Sequence, residues 1–360
     1  MSLAFIPVKI LGLESRLNED LYYAIDLYFK LSKTYTDVKI LFYKTDWTKD
    51  PDKVHFKKID IIKSLLAEHN LDFSNCFFLL DDQDISKEYY FPEVLENHIF
   101  LIEYFLLKEY TWTQYNKHNL TWNTKGKPQI IFGKLYRPHR YNSLVSLANA
   151  GVLDTKKYNW SLDVPRDELR EKHIERGVDL DLVKKFSRKM KHDNEVPPHT
   201  GYPYSEKIFK NALFSVVLET FINEDFPLIS EKTWKPISNR VPYLGIYSEW
   251  QKNKLNIMGF CDFTEYYLGE QEFNPMEISE NLSEYSEKFE QELKKNIDQV
   301  KKQVKHNGIL FNQLGEQVTN DLDIFFKSDF YMLSGRKTTF LKSIIFELET
   351  SDNIQLPGIL

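Results

Sequence analysis

Short apolar runs with strand character alternate with longer runs of helical spacing along most of the chain, and the alternation starts afresh about a third of the way in. Residues 5–11, 38–43 and 76–80 are compact and apolar. Between them, residues 18–31 carry Leu21, Ile25, Tyr28 and Phe29 on one helical face, residues 59–66 repeat that spacing, and residues 92–110 read as a further helix. Strand alternating with helix implies an α/β chain with parallel sheets. The polar turn Thr124-Lys125-Gly126-Lys127-Pro128 interrupts the pattern. A new series follows: a strand at 129–132, a helix at 140–150 stopped by Gly151, strands at 157–162, 213–218 and 241–246, and a helix opening at Ser230. Residues 163–195 are a mixed-charge insert, and residues 276–305 read as one long amphipathic helix with His306 and Asn307 at its end. The expected domains are therefore 1–125, 128–275 and a C-terminal helix and tail, 276–360, packing across them.

Composition narrows the function classes. Forty-seven Lys and Arg against 53 Asp and Glu give a net charge of −6, which argues against a general nucleic-acid coat and leaves a local basic cleft open. A modified DNA acceptor is disfavoured on the same ground. Cys76 and Cys261 are too few for a disulfide framework or a Cys-rich zinc module. The longest apolar run, 99–107, is interrupted by Glu103 and too short to span a bilayer. The N-terminus has no basic region followed by a cleavage site, so the expectation is a cytoplasmic chain without a membrane partner. There is no Gly-x-Gly-x-x-Gly, Walker loop or Gly-x-Ser-x-Gly, and no zinc-like spacing of histidines.

The segment 214–247 carries the most chemistry. It reads as strand, acidic turn, helix, strand. Ser230 is placed to cap the helix, with Glu231, Lys232 and Thr233 in its first turn. A helix N-terminus presents unpaired amides and partial positive charge, and Lys232 adds a full charge, which suits a diphosphate. Glu231 is then free to accept hydrogen bonds from ribose hydroxyls. The plainer alternative is a pair of surface residues in a first helical turn.

Ile229-Ser230-Glu231-Lys232-Thr233-Trp234-Lys235, followed by Val241-Pro242-Tyr243-Leu244-Gly245, resembles the donor-binding motif of α1,3-fucosyltransferases. It is also similar to glycosyltransferase-like proteins of phages and large viruses, which would place the chain in a host cytoplasm. The family sets an arginine at the start of a helix roughly ninety residues earlier, where Arg137-Pro138-His139-Arg140 stands here. The resemblance covers about residues 128–265. It departs at Thr220, where the family has Asn, at Pro236 inside the helix, and in the 163–195 insert.

The resemblance implies two Rossmann-like domains facing a cleft, the GT-B glycosyltransferase fold. It implies a nucleotide-sugar donor, GDP-sugar favoured and UDP-sugar admissible, and transfer to a glycan or other hydroxyl acceptor without a required metal or other cofactor. Arg140 corresponds to the phosphate-contacting arginine, Glu231 to the ribose-binding glutamate and Lys232 to the phosphate lysine. Arg137, Glu219, Thr233 and Lys235 are further donor-side candidates. Glu219 could instead cap a neighbouring helix, and Lys235 could pair with Glu231. His139 either donates to a phosphate or caps its own helix. The general base is sought among the acids of the first third: Glu14, Asp82 and Glu103. Two other readings stay open. One is a manganese-dependent transferase of the GT-A kind using the Asp81-Asp82-Gln83-Asp84 loop, and the other is a non-catalytic sugar-nucleotide-binding module.

Overall fold

Alternating apolar runs become parallel strands because successive side chains leave a strand on opposite faces, so a run that is apolar throughout must be covered on both. The computed structural model describes residues 2–9, 14–43, 51–81, 99–102, 104–115, 121–133, 135–155, 157–162, 167–187, 209–220, 222 and 229–340. Among them the strands are β1 (Leu3–Lys9), β2 (Asp37–Tyr43), β3 (Cys76–Asp81), β4 (Ile99–Ile102), β5 (Lys127–Phe132), β6 (Asn159–Leu162), β7 (Ala212–Leu218), β8 (Tyr243–Ile246), β9 (Asp329–Tyr331) and β10 (Lys337–Thr338). They form two sheets, of order β10-β9-β1-β2-β3-β4 and β6-β5-β7-β8. The chain is α/β, as the alternation implies.

The chain divides into two compact units. One is drawn mainly from Met1–Lys108 and Glu316–Leu360, the other mainly from Glu109–Pro198 and Tyr202–Gly315. The division falls at 108/109, inside the helix Tyr104–Tyr115, rather than at the 124–128 turn. Nor do residues 276–360 stay together, since they are shared between the units.

In the first unit β1 to β4 are parallel and laid in sequence order. Ala4, Ile6, Val8, Ile40, Phe42 and Phe78 face the helix Glu14–Leu31 on one side, while Phe5, Leu41, Phe77 and Leu79 face Leu107, Phe325 and Phe340 on the other. Both faces of the sheet are thus buried, as strands that are apolar throughout require. The tail contributes β9, parallel to β1, and β10, antiparallel to β9. Tyr35 donates to the Asp329 carboxylate at 2.6 Å, and Lys337 pairs with the same carboxylate at 2.7 Å, which fastens this return. The 92–110 run is not one helix. Ile99–Ile102 is β4, whose four consecutive apolar residues suit a parallel strand, and the helix begins at Tyr104.

The second unit's sheet is parallel throughout. All seven residues of β7 are buried, as expected of a central strand. The chain leaves β5, forms the helix Pro138–Asn149 and β6 on one side, then places β7 on the other side of β5. The strand order therefore reverses between β5 and β7, and a crevice at the carboxyl ends of two such strands is where open parallel sheets bind ligands.

The expected long helix at 276–305 is three helices, Pro275–Glu280, Leu282–Lys295 and Ile297–Asp321, separated at Asn281 and Asn296. His306 and Asn307 lie inside the last one. Asn307 accepts from the Cys261 amide at 2.8 Å and donates to its carbonyl at 2.9 Å, so this amide side chain fixes the loop after the helix Glu249–Ile257. No described helix is long and apolar enough to cross a membrane.

Candidate functional site

The carboxyl ends of β5 and β7 are joined by charged side chains. Past β5 come Gly133 and the loop to the helix Pro138–Asn149, in which Arg137 is the N-cap position and Pro138 the first helical residue. The first turn of this helix carries His139 and Arg140 under the end of β7. Arg140 donates from Nη2 to the carbonyls of Leu218 at 3.1 Å and Glu219 at 3.0 Å, and to Thr220 Oγ1 at 3.5 Å. His139 Nε2 lies 2.8 Å from the Glu219 carbonyl. A carbonyl only accepts, so Nε2 carries the proton. Burial pushes the His139 imidazole down to about 3, with the backbone hydrogen bond opposing and Arg140, Arg137 and Lys232 adding to the shift, so the ring is neutral near pH 7. Burial also lowers Arg140, to about 10, and leaves it charged.

Gly133 makes this arrangement possible. A Cβ at that position would stand 2.4 Å from Arg140 Nη1, so only glycine lets the guanidinium lie across the strand end. The signal for this close approach in the sequence is a glycine directly after an apolar strand.

Across the switch point, Ser230 caps the helix Glu231–Ser238 as anticipated, its Oγ accepting from the Lys232 amide at 3.3 Å. Glu219 is fully buried and committed to that cap. Its Oε1 accepts from the Ser230 amide at 3.0 Å and Thr233 Oγ1 at 2.7 Å, and its Oε2 from the Thr220 amide at 2.9 Å and Ser230 Oγ at 2.6 Å. Of the two roles open for Glu219, the geometry displays the cap of a neighbouring helix. Thr233 serves the same junction. The amides of Ser230 and Lys232 are consequently occupied, so attraction for an anion at this end falls chiefly to side chains. Pro236 lies two residues before the helix ends at Ser238, so little helix follows the hydrogen bond it removes.

Lys232 lies at the rim. Its Nζ donates to Glu231 Oε1 at 2.7 Å, Thr220 Oγ1 at 3.2 Å and Ser230 Oγ at 3.4 Å. Burial would raise the Glu231 carboxyl, but Lys232 and Lys235 overcome it and hold the group at about 2. Thr220, the departure from the family's Asn, accepts from both Arg140 and Lys232 and so links the two sides of the crevice. Lys235 is buried further along the same helix, where Ser238 Oγ donates to the buried Glu109 at 3.0 Å. The pole formed by Arg137, Arg140 and Lys232 against Glu219 and Glu231 has one positive charge in excess.

The structure thus brings Arg137, His139, Arg140, Glu219, Glu231, Lys232 and Thr233 together around the ends of β5 and β7. Arg140 acts from beneath, nearly fully buried, with a buried Nε that has no hydrogen-bond partner among the described residues. The expected general bases are a different matter. Glu14 begins the helix Glu14–Leu31 but its side chain is outside the described residues, as are Asp82 and Glu103 altogether. Among the described residues no group of three or more His, Cys, Asp and Glu is placed to hold a metal ion. Compared with known proteins, the chain matches no family model, no curated protein and no solved structure.

Proposed function

We propose that the chain is a glycosyltransferase whose second unit binds a nucleoside-diphosphate sugar, GDP-sugar favoured, and whose two α/β units follow the GT-B plan. The observation that carries the reading is the convergence of Arg137, Arg140 and Lys232 at the switch point between β5 and β7. Support also comes from the resemblance of the 229–245 segment to the fucosyltransferase donor motif.

In this reading Lys232 and Arg137 contact the diphosphate and Arg140 adds its charge from below. The anomeric carbon–oxygen bond to the β-phosphate breaks, and its electron pair stays on the diphosphate, where the fixed cations stabilise the developing charge. The acceptor hydroxyl oxygen forms the new bond with inversion. Its proton passes to a carboxylate, the role given to Glu14, Asp82 or Glu103. Glu231, held anionic, exchanges its pairing with Lys232 for ribose hydroxyls as Lys232 turns to phosphate.

The test is a thermal-shift panel of GDP, UDP, ADP, CMP and their sugar conjugates in EDTA and in manganese. A ligand that binds the native state at a hundredfold its Kd adds about 2.7 kcal/mol of stability. A metal-free shift with GDP or UDP is expected, and Lys232→Ala should lose it along with any transfer, while keeping the wild-type circular dichroism spectrum. Wild-type binding by that variant overturns the site. A shift confined to manganese turns the reading to the Asp81–Asp84 loop, and binding without turnover on any acceptor to a non-catalytic module.

A further inference from the structure

The helix Asp167–Glu175 belongs to the charged insert, the part of the chain with no counterpart in the resemblance, yet it packs on the loop that leaves β5. Its Lys172 Nζ lies 4.3 Å from the centre of the Tyr136 ring, and the buried His173 meets the same ring edge-on at 5.3 Å and 81°. Tyr136 stands three residues past Gly133 and directly before Arg137, whose guanidinium carbon lies 5.9 Å from the ring centre. Two cations from separate elements therefore share one aromatic ring beside the switch point. A ring face attracts an ammonium, but more weakly than a desolvated carboxylate or phosphate does.

Lys172 is half-buried and, among the described residues, makes no ion pair. Asp181, Glu290 and Glu292 each take a lysine elsewhere on this unit, whereas Lys172 is held against the ring of Tyr136, the residue before Arg137.

We propose that Lys172 is an additional phosphate-binding residue of the diphosphate site, with Tyr136 as the positioning residue that keeps it and Arg137 at the lip. The inference rests on the nucleoside-diphosphate reading above. It makes the insert part of the donor site and gives that site a preference for diphosphates over monophosphates, since the added cation serves the second phosphate.

Calorimetric titration of the full chain with GDP, GMP and inorganic pyrophosphate tests it. Lys172→Ala should weaken GDP and pyrophosphate about tenfold, the loss of one charge-assisted contact, and GMP much less. Lys172→Arg should restore GDP to within about twofold. Tyr136→Leu should weaken GDP, and the Tyr136→Leu/Lys172→Ala double variant should bind no worse than Tyr136→Leu alone, because Lys172 acts only from its seat on that ring. Wild-type affinity in Lys172→Ala, alongside lost binding in Lys232→Ala, overturns this inference and leaves the site standing. Equal losses for GDP and GMP, or a melting temperature that falls in step with affinity, assign Lys172 to the scaffold and overturn it as well. If the wild-type chain binds neither GDP, UDP nor pyrophosphate, the underlying reading fails and this inference fails with it.

Discussion

Replacing Glu219 with alanine separates a structural keystone from a ligand contact. The carboxylate receives four hydrogen bonds, two from main-chain amides, of Thr220 and Ser230, and two from the hydroxyls of Ser230 and Thr233. The hydroxyls can rotate toward other acceptors, but the amides cannot. Each buried amide left without a partner costs about 1–3 kcal/mol, and the vacated volume adds to this, so a loss of about 4 kcal/mol is expected. That is a large share of a stability of roughly 5–15 kcal/mol. With a urea slope of about 3 kcal/mol per M, the midpoint should fall by more than about 1 M. Glu219→Gln keeps one oxygen for two donors but turns an NH2 toward the Thr220 amide, and should lose about half as much. Urea unfolding followed by fluorescence and circular dichroism measures both. An alanine variant with an unchanged midpoint but no nucleotide binding would refute the reasoning, because it would make Glu219 a ligand contact and not the clamp of the Ser230 cap.

His139 should make stability depend on pH. Its folded value of about 3 lies below the ordinary 6.5, so the unfolded chain takes up a proton that the native chain refuses, and the stabilising difference, fully present above pH 6.5, is lost as pH falls toward 3. Thermal melts from pH 7 to pH 4 should show an added slope of about 1.4 kcal/mol per pH unit that vanishes in His139→Gln, whose amide can still donate to the Glu219 carbonyl. Parallel curves for the two proteins would count against a neutral buried imidazole. Gly133→Ala brings a Cβ to within 2.4 Å of Arg140 Nη1, so the guanidinium must shift, which disturbs the bonds that Nη2 makes to the Leu218 and Glu219 carbonyls. A loss of about 1.5–3 kcal/mol and weaker nucleotide binding should follow, and an unaltered melting temperature would contradict the close approach.

Much of the architecture was legible because it is written locally. The apolar runs of β1 and β2, the Ser230 cap and the stop at Gly151, with its left-handed φ of 67°, depend on residues a few positions apart. The breaks at Asn281 and Asn296 were less visible, since the charged pattern on either side continues without a change of period. The placement of Arg137, Arg140, Glu231 and Lys232 at one site was anticipated through the resemblance, not through periodicity.

What the sequence by itself determined is therefore the α/β class, the main strands of both sheets, and which short motif carries the charge. Only the tertiary structure decided how those charges are used. Arg140 meets carbonyls 78 and 79 positions away, Glu219 clamps a helix 11 positions on, and β9 returns to β1 across more than three hundred residues. Such partners are selected by burial. Where a group is buried away from water, each amide, guanidinium and carboxylate must find whichever partner the fold brings within reach, and no local pattern in the chain names that partner.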